Sequence, residues 1–528
     1  MCVALLAGAA WIAERTDFGQ RIRKKLWGLG LRHSAKLMAE VPRRRARALE
    51  TETLGSTPPP TVSHPSGIYT QAFRLAAEAP AGTEVLYTTD GSIPSSRSRR
   101  LTGSLDISRT VAVRLRAFPP GSRPSETLDL TYVIGQAPDV AVISLILDPV
   151  HLYDKHSGIY RHARQSGRAW ERPVRLLVLR RGEPTLEASA RLRVHGGASR
   201  RNLRKSLRIY LGREEADLRP LFGTGAARIA PSQSQWVLRH AGNNNQLFRD
   251  VFSCAVADRM GLITSPRAMC LLLTNGEIQG VYHLRERVNE ALLAGKVGGE
   301  RFDMLRGGFH VLKLKHGDDQ DWRELWRFIQ ERDLRDPEAY RFVAERVDLS
   351  GLMDYWIFQA FSANSDWPQN NVDVYRARQE NAPWRFLVWD MDGGYNYWGV
   401  YVEHETFAWT LRDVPRPEWK PHGGPDVAER VPSTLLLRRL TANPGFRAAF
   451  RKRCTHWLDT VLSRENLLAM FDRLVADREP LRSIELLRWQ PAPPAVAEQR
   501  YREQIAQIRR FLEKRTSVVR RHLRKHFG

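Results

Sequence analysis

Apolar and polar residues alternate along this chain with two different periods, and the change of period divides it. Between 67 and 133 the runs are short and alternate every second residue, over 83–89, 101–107 and 110–117, with turn residues such as Asp90-Gly91 between them. A period of two places successive side chains on opposite faces of a strand, so this stretch predicts a small antiparallel β-sandwich. From 140 the runs remain strand-like, over 142–147, 174–179, 190–194, 207–211, 268–273 and 281–284. One helix is predicted among them over 246–259, ending before Gly261 as a C-cap would require. After Asp318 a helical period takes over, predicting helices over 320–332, 337–346, 350–364, 433–441, 464–477 and 498–525, with strands 373–376 and 384–388 among them. The expected class is α+β: an all-β sandwich, then a β-rich lobe, then a helical lobe, with the cleft between lobes as the usual place for a ligand.

Punctuation sets the boundaries. Gly55-Ser-Thr-Pro-Pro-Pro-Thr-Val-Ser-His-Pro65 favours an extended path and reads as a linker. The expected organisation is an N-terminal segment 1–58, a β-sandwich 59–136 and a large domain 137–528, the latter divided into lobes 137–318 and 319–528. The segment before the linker holds an apolar run, 3–13, shorter than the ~20 residues that span a bilayer. It reads as an incomplete export or anchor element, through which membrane contact would occur, as a short amphipathic tail, or as the product of a misplaced start. The basic clusters at 21–25 and 43–47 would hold its C-terminal flank in the cytoplasm.

Composition narrows the classes further. The chain has 528 residues, too many for one ordinary core, and its 42% hydrophobic residues suffice for several. A net charge of +24 would draw it toward polyanions, yet it carries no fingerprint of specific nucleic-acid binding. The bland reading of that charge is an arginine-rich set of solvated faces, and the final helix illustrates it: Ile505, Ile508, Leu512, Val519 and Leu523 form one stripe with basic residues opposite. Four cysteines, Cys2, Cys254, Cys270 and Cys454, are too scattered for a zinc site or a dense disulfide framework.

Candidate chemistry concentrates in two segments, Asp366-Trp-Pro-Gln-Asn370-Asn371 and Trp389-Asp390-Met-Asp392-Gly393-Gly394. Asp366 and Asn371 have the D-x-x-x-x-N spacing with which protein kinases supply a catalytic base and a magnesium ligand. Asp390 follows a short apolar strand as a second metal ligand, and Asp392 shares its face if the strand continues. Mg²⁺ keeps several waters, so an amide, one or two carboxylates and the nucleotide phosphates complete its shell. In the β-rich lobe, His195-Gly196-Gly197 forms either a phosphate-cradling or a purely structural turn. Lys205 is a candidate for the nucleotide phosphates, with Glu286 as its orienting carboxylate, and Lys313 and Lys315 are rivals. The long stretch after the second segment carries Tyr397, Trp398, Tyr401, Phe407, Trp409 and Trp419, which either shape a substrate mouth or pack the loop down.

The wording around these segments resembles the CotH family of atypical kinase-like proteins, from about Val140 to the C-terminus. Further matching pieces are Arg191-Leu-Arg-Val-His-Gly-Gly-Ala-Ser-Arg200, Lys205-Ser-Leu-Arg-Ile-Tyr210, Trp236-Val-Leu-Arg-His-Ala-Gly-Asn243, Arg249-Asp250, Asn275-Gly-Glu-Ile-Gln-Gly-Val-Tyr282 and Glu286. Asn244 stands where that family would carry an Asp, and neither H-R-D nor D-F-G is present. Tyr87-Thr-Thr-Asp90-Gly91-Ser-Ile-Pro94 is similar to the fingerprint of chitobiase C-terminal-type immunoglobulin-like domains. The resemblance implies an atypical bilobal protein-kinase-like fold that uses ATP and Mg²⁺, with Mn²⁺ as an alternative, to phosphorylate Ser or Thr of a protein partner. It also implies a bacterial cell-envelope or extracytoplasmic setting. Two other classes stay open at this point: a non-catalytic envelope or spore-surface scaffold, and a polyanion-binding protein. Carbohydrate binding by the sandwich is disfavoured, because its few aromatics fall mostly at core-like positions.

Overall fold

The computed structural model describes residues 57–135, 139–212, 216–240, 248–308, 311–397, 401–411, 434–489 and 493–528. The apolar run 3–13, Asn243, Asn244, Trp398, Trp419 and the start of the helix expected from 246 lie outside the described residues. Two compact units emerge, one built on residues up to 137 with 144–201 and 274–277, the other on 138–143, 202–273 and 278–528.

The first unit opens with strands β1 (Thr61–Val62), β2 (Gly67–Tyr69), β3 (Phe73–Glu78), β4 (Glu84–Thr88), β5 (Arg99–Arg100), β6 (Ser104–Ile107), β7 (Val111–Phe118) and β8 (Leu128–Ile134). They form two sheets, β1-β3-β6 and β2-β8-β7-β4-β5, antiparallel except where β2 runs parallel to β8. Leu75, Val85, Ile107, Val113, Leu115, Leu130 and Tyr132 fill the space inside. Arg114 on β7 reaches Asp129 on β8 at 2.6 Å and donates to Gly91 O at 2.9 Å, pinning the Asp90-Gly91 turn from within. Tyr69, Phe73 and Tyr132 pack on one another with ring centroids 4.6–6.0 Å apart, as their core-like positions predict. The chain continues through β9 (Ala141–Ile146), the single turn of helix α1 (Pro149–Tyr153), and the antiparallel pair β10 (Arg172–Leu179) and β11 (Leu186–His195). The glycine pair after β11 forms a closed turn: Arg200 Nε donates to Gly196 O at 2.5 Å and its Nη1 to Gln165 O at 2.7 Å.

The second unit, besides the start of β9, holds β12 (Ser206–Leu211), β13 (Gln235–His240), helix α2 (Arg249–Arg259) and most of β14 (Arg267–Thr274) and β15 (Glu277–Glu286), the strands ordered β12-β13-β15-β14. Helix α2 stops where expected, with Gly261 at φ +74°. After α3 (Glu290–Val297) come β16 (Phe302–Gly308) and β17 (Val311–His316), then helices α4 (Gln320–Glu331), α5 (Pro337–Arg346) and α6 (Leu349–Ser362), then β18 (Val372–Ala377) and β19 (Arg385–Leu387). These last two strands do not stand alone among helices: the sheet order is β17-β16-β18-β19, so residues on either side of position 318 share one sheet. Helices α7 (Thr406–Thr410), α8 (Leu435–Thr441), α9 (Pro444–Asp459), α10 (Arg464–Ala476), α11 (Arg482–Trp489) and α12 (Pro494–Phe527) complete the unit.

Helix α6 is the axis of the helical core. Trp356, Phe358 and Phe361 are buried against Phe446 and Phe450 of α9, Phe471 of α10, and Phe511, Leu512 and Leu523 of α12. Because α6 is apolar on nearly every face, its one charge, Asp354, is answered by Arg453 and Trp457 of α9. On α12, Ile508, Leu512, Val519 and Leu523 form the buried stripe, and several basic residues opposite find acids: Arg502 with Glu498, Arg520 with Asp459 and Lys525 with Glu405. That favours the solvated-face reading of the charge. No helix among the described residues is long and apolar enough to cross a membrane.

Candidate active site

The site grows from the C-terminal end of α6. Asp348 caps its start, accepting from Gly351 N at 2.9 Å, and Ala363 ends it in the left-handed region at φ +49°. The last carbonyls of a helix have no partner within it. Here Arg515 of α12, almost wholly buried, supplies one: it donates to Phe361 O at 2.9 Å, Ala360 O at 2.6 Å and His404 O at 3.0 Å, and also to Val402 O. The chain then enters the predicted base-bearing loop in a fixed direction. Asn364 Oδ1 accepts from Asp366 N at 3.1 Å, while Ser365 donates from both N and Oγ to Gly393 O at 3.0 Å. A Cβ on Gly393 would lie 2.7 Å from Asn364 Oδ1 and 2.8 Å from Ser365 Oγ, so close backbone approach demands glycine there.

The two sequence segments therefore meet, and Asn371 joins them. Its Nδ2 donates to Asp366 Oδ2 and to Asp390 O, each at 3.3 Å, which leaves the amide oxygen as its acceptor. Asn371 (φ +56°) and Asp390 (φ +53°) both occupy the left-handed region, a cost of ~1–3 kcal/mol each that persists only where surroundings over-determine it. Strain of this kind gathers at functional sites.

Asp390 and Asp392 do not share a strand face. The strand β19 ends at Leu387 and residues Met391–Gly393 form a 3-10 turn, so the two carboxylates converge through that turn instead. Arg239 of β13 collects them: its Nη2 lies 2.7 Å from Asp390 Oδ1 and 2.7 Å from Asp392 Oδ2. Its Nε faces Asp250 Oδ2 at 3.6 Å, and Asp250, in the first turn of α2, also takes Arg285 of β15 and accepts from Met391 N at 3.3 Å. Burial alone would raise the Asp250 carboxyl, but Arg285 and Arg239 outweigh it and hold it well below the usual carboxylate range. Asp392 moves the other way, pushed up by burial and by the negative neighbours Asp250 and Asp390 despite Arg239. The side chains of Asp390 and Asp392 are 32% and 26% exposed against 7% for Asp250, so an incoming cation would reach the first two and not the third.

No ready-made cage of three or more His, Cys, Asp or Glu exists among the described residues. Mg²⁺ requires none: Asp390, Asp392 and the Asn371 amide oxygen are a hard oxygen donor set of the size it uses beside phosphates. In the same unit opens a cleft of about 790 Å³ lined by Gln235, Val288, Met304, Arg306, Lys315 and, two residues on from Asn371, Asp373 among others. Arg306 on the cleft wall pairs with Asp373 and lies 4.3 Å over the ring of Trp389, the residue before Asp390.

Lys205 and Glu286 are not brought together. Ladder register separates them: β13 pairs His240 with Tyr282 and Trp236 with Glu286, and Lys205, just before β12, lies at the His240 end, where the Tyr282 hydroxyl donates to its carbonyl. Four residues of strand is about 13 Å. Lys205 instead donates to Asn202 O, while Glu286 accepts from Gln233 Nε2 at 2.8 Å. Of the rival lysines, Lys315 lines the cleft. Burial pushes Glu286 up to about 7 from an ordinary 4.5, with Gln233 and Lys296 opposing only in part. A raised pKa means the folded state prefers the neutral acid, so this contribution is intact below about 4.5 and is lost as pH climbs toward 7. In urea unfolding across that window, Glu286→Gln is expected to gain on wild type by about 1.4 kcal/mol per unit of pKa shift removed. Equal pH slopes for the two proteins would refute it.

Three residues of the site escaped sequence reasoning: Arg239, Asp250 and Arg515. Arg239 and Asp250 lie within quoted segments but carried no spacing that pairs them. The aromatics after Asp392 largely pack inward. Tyr395 meets Phe252 and Phe511, Tyr397 lies 5.2 Å from the Arg249 guanidinium, Phe407 packs on Trp356 and Phe450, and Tyr401 alone of the quoted, described aromatics is largely exposed.

Comparison with known proteins adds the family. Residues 64–129 match the chitobiase/beta-hexosaminidase C-terminal domain. Among solved structures, the proinflammatory kinase CtkA of Helicobacter pylori is matched at 9% identity over 54% of this chain and 92% of that one, with a TM-score of 0.22, too low to bear on the argument. Comparison with curated proteins returns no match. Residues 192–519, more than half of the chain, match the CotH kinase protein family. With its α+β, kinase-like order of a β-rich half before a helical half, preceded by a β-sandwich, the chain belongs to the CotH kinase protein family, a family of atypical protein kinases.

Proposed function

We propose that this protein transfers the γ-phosphoryl group of ATP to a Ser or Thr hydroxyl of a protein partner, with the N-terminal sandwich as a docking module. The observation that carries the reading is the Asn371 amide, which binds Asp366 and the backbone of Asp390 at once and so fixes a candidate base beside candidate metal ligands. Asp366 would accept the hydroxyl proton as the oxygen attacks phosphorus and the bond to ADP breaks, leaving a phosphoester and ADP. Asp390, Asp392 and Asn371 would hold the divalent cation, which when bound neutralises phosphate charge and orients the β- and γ-phosphates. The cleft has the size of a small-ligand site, about 300–1,000 Å³, and supplies Val288 and Met304 as apolar lining. A protein acceptor follows from the family rather than from the pocket.

Incubation with labelled ATP, Mg²⁺ and a casein-like acceptor tests the reading. Label should pass to protein, cease on adding excess EDTA, and resume with Mg²⁺ or Mn²⁺. Absence of both transfer and any nucleotide-induced rise in melting temperature would leave a scaffold with a kinase fold.

A further inference from the structure

Arg239 holds a position that metal ligation and base catalysis leave unexplained. A single guanidinium joins three carboxylates: Nη2 spans Asp390 and Asp392 at 2.7 Å each, and Nε faces Asp250 at 3.6 Å. A cation shared between two acids does electrostatically what a divalent ion does there, with half the charge. The two ends of the fork differ in access. The Asp250 end is buried and braced by Arg285, whereas the Asp390 and Asp392 end is partly open.

Metal loading then shifts the local charge balance from negative to positive. Asp250, Asp390 and Asp392 bring three negative charges when ionised, against two positive ones from Arg239 and Arg285. A divalent ion on Asp390 and Asp392 takes over both of the carboxylates that Nη2 satisfies, leaving that end of the guanidinium without its anions on a strand whose first residue, Gln235, lines the cleft. Phosphate oxygens are the natural partner for a planar guanidinium fork. Kinases place a strand cation, tethered to an acid on a helix, against the nucleotide phosphates. Here β13 supplies the cation and α2 the acid.

Building on the kinase reading, we propose that Arg239 is a two-position residue: it occupies Asp390 and Asp392 when no metal is bound. When the cation takes those acids, its Nη nitrogens turn to the nucleotide phosphates while Nε stays on Asp250. The task sought for a lysine thus falls to an arginine, and Arg239 competes with the metal but cooperates with the nucleotide.

Competition and cooperation have opposite signs, which makes the test decisive. Mn²⁺ alone is titrated into the full chain by electron paramagnetic resonance of the free ion, and the non-hydrolysable analogue AMP-PNP with saturating Mn²⁺ by calorimetry. Arg239→Gln is expected to bind Mn²⁺ alone more tightly, by about tenfold, and AMP-PNP more weakly, by about 10–100-fold, the scale of a charged hydrogen bond. Loss of both affinities together, or no change in either, would make Arg239 a structural brace and overturn the proposal. Should Arg239→Gln melt far below wild type, Arg239→Lys enters the same comparison: it keeps the charge, so Mn²⁺ alone is expected to bind as in wild type, but it loses the fork, so AMP-PNP is still expected to bind more weakly. If wild type itself fails to bind AMP-PNP, the kinase reading falls. If wild type binds it and the variant lacks the response expected of it, only the proposal for Arg239 falls.

Discussion

Exchanging Asp366 for Asn is expected to lower phosphoryl transfer by about 10²–10⁴-fold, the worth of a positioned general base, while nucleotide binding and melting temperature stay close to wild type. The expectation of an intact fold comes from the bonds around it. Asp366 N is held by Asn364 Oδ1, and Ser365, not Asp366, makes the link to Gly393. An amide at 366 can still accept from Asn371 Nδ2, so the variant removes basicity and preserves shape. Single-turnover transfer beside calorimetry with AMP-PNP separates the two effects. A variant that transfers phosphate within threefold of wild type would strip Asp366 of its assigned role.

Replacing Arg515 by Met should cost more stability than any surface change, at least about 3 kcal/mol. The guanidinium satisfies carbonyls of Ala360, Phe361, Val402 and His404 in a setting from which water is excluded. An apolar replacement leaves those acceptors unpaired, at about 1–3 kcal/mol for each that water fails to reach. Equilibrium urea denaturation measures the loss. Because Arg515 also sets the exit of α6 toward Asp366, transfer by the folded fraction should fall as well. A midpoint shift within the error of the measurement would show that the helix end is satisfied by other means.

Periodicity made most of the architecture legible. The two-residue alternation over 67–133 and the stripe on α12 each arise from burial of one face, which is a local property of sequence. The strands β18 and β19 were also legible as strands, but not their partners, since pairing with β16 and β17 is decided by packing across long separations. The same limit shaped the site. Asp366, Asn371 and Asp390 were found because two short segments hold them, and the structure brings all three together. Arg239 and Asp250 meet because a strand and a following helix face each other, and Arg515 reaches Phe361 across 154 positions. No spacing announces such contacts. The expected pairing of Lys205 with Glu286 failed for a related reason: both face the right region in sequence order, but strand register sets them at different levels of one ladder.

The two bonds from Ser365 to Gly393 O lock the base-bearing loop and the acid-bearing turn into a single rigid plate. Whatever rearrangement accompanies a catalytic cycle here must then be carried by side chains swinging above that plate rather than by the plate folding. Adding one methyl group at position 393 would wedge its halves apart without touching a single titratable atom.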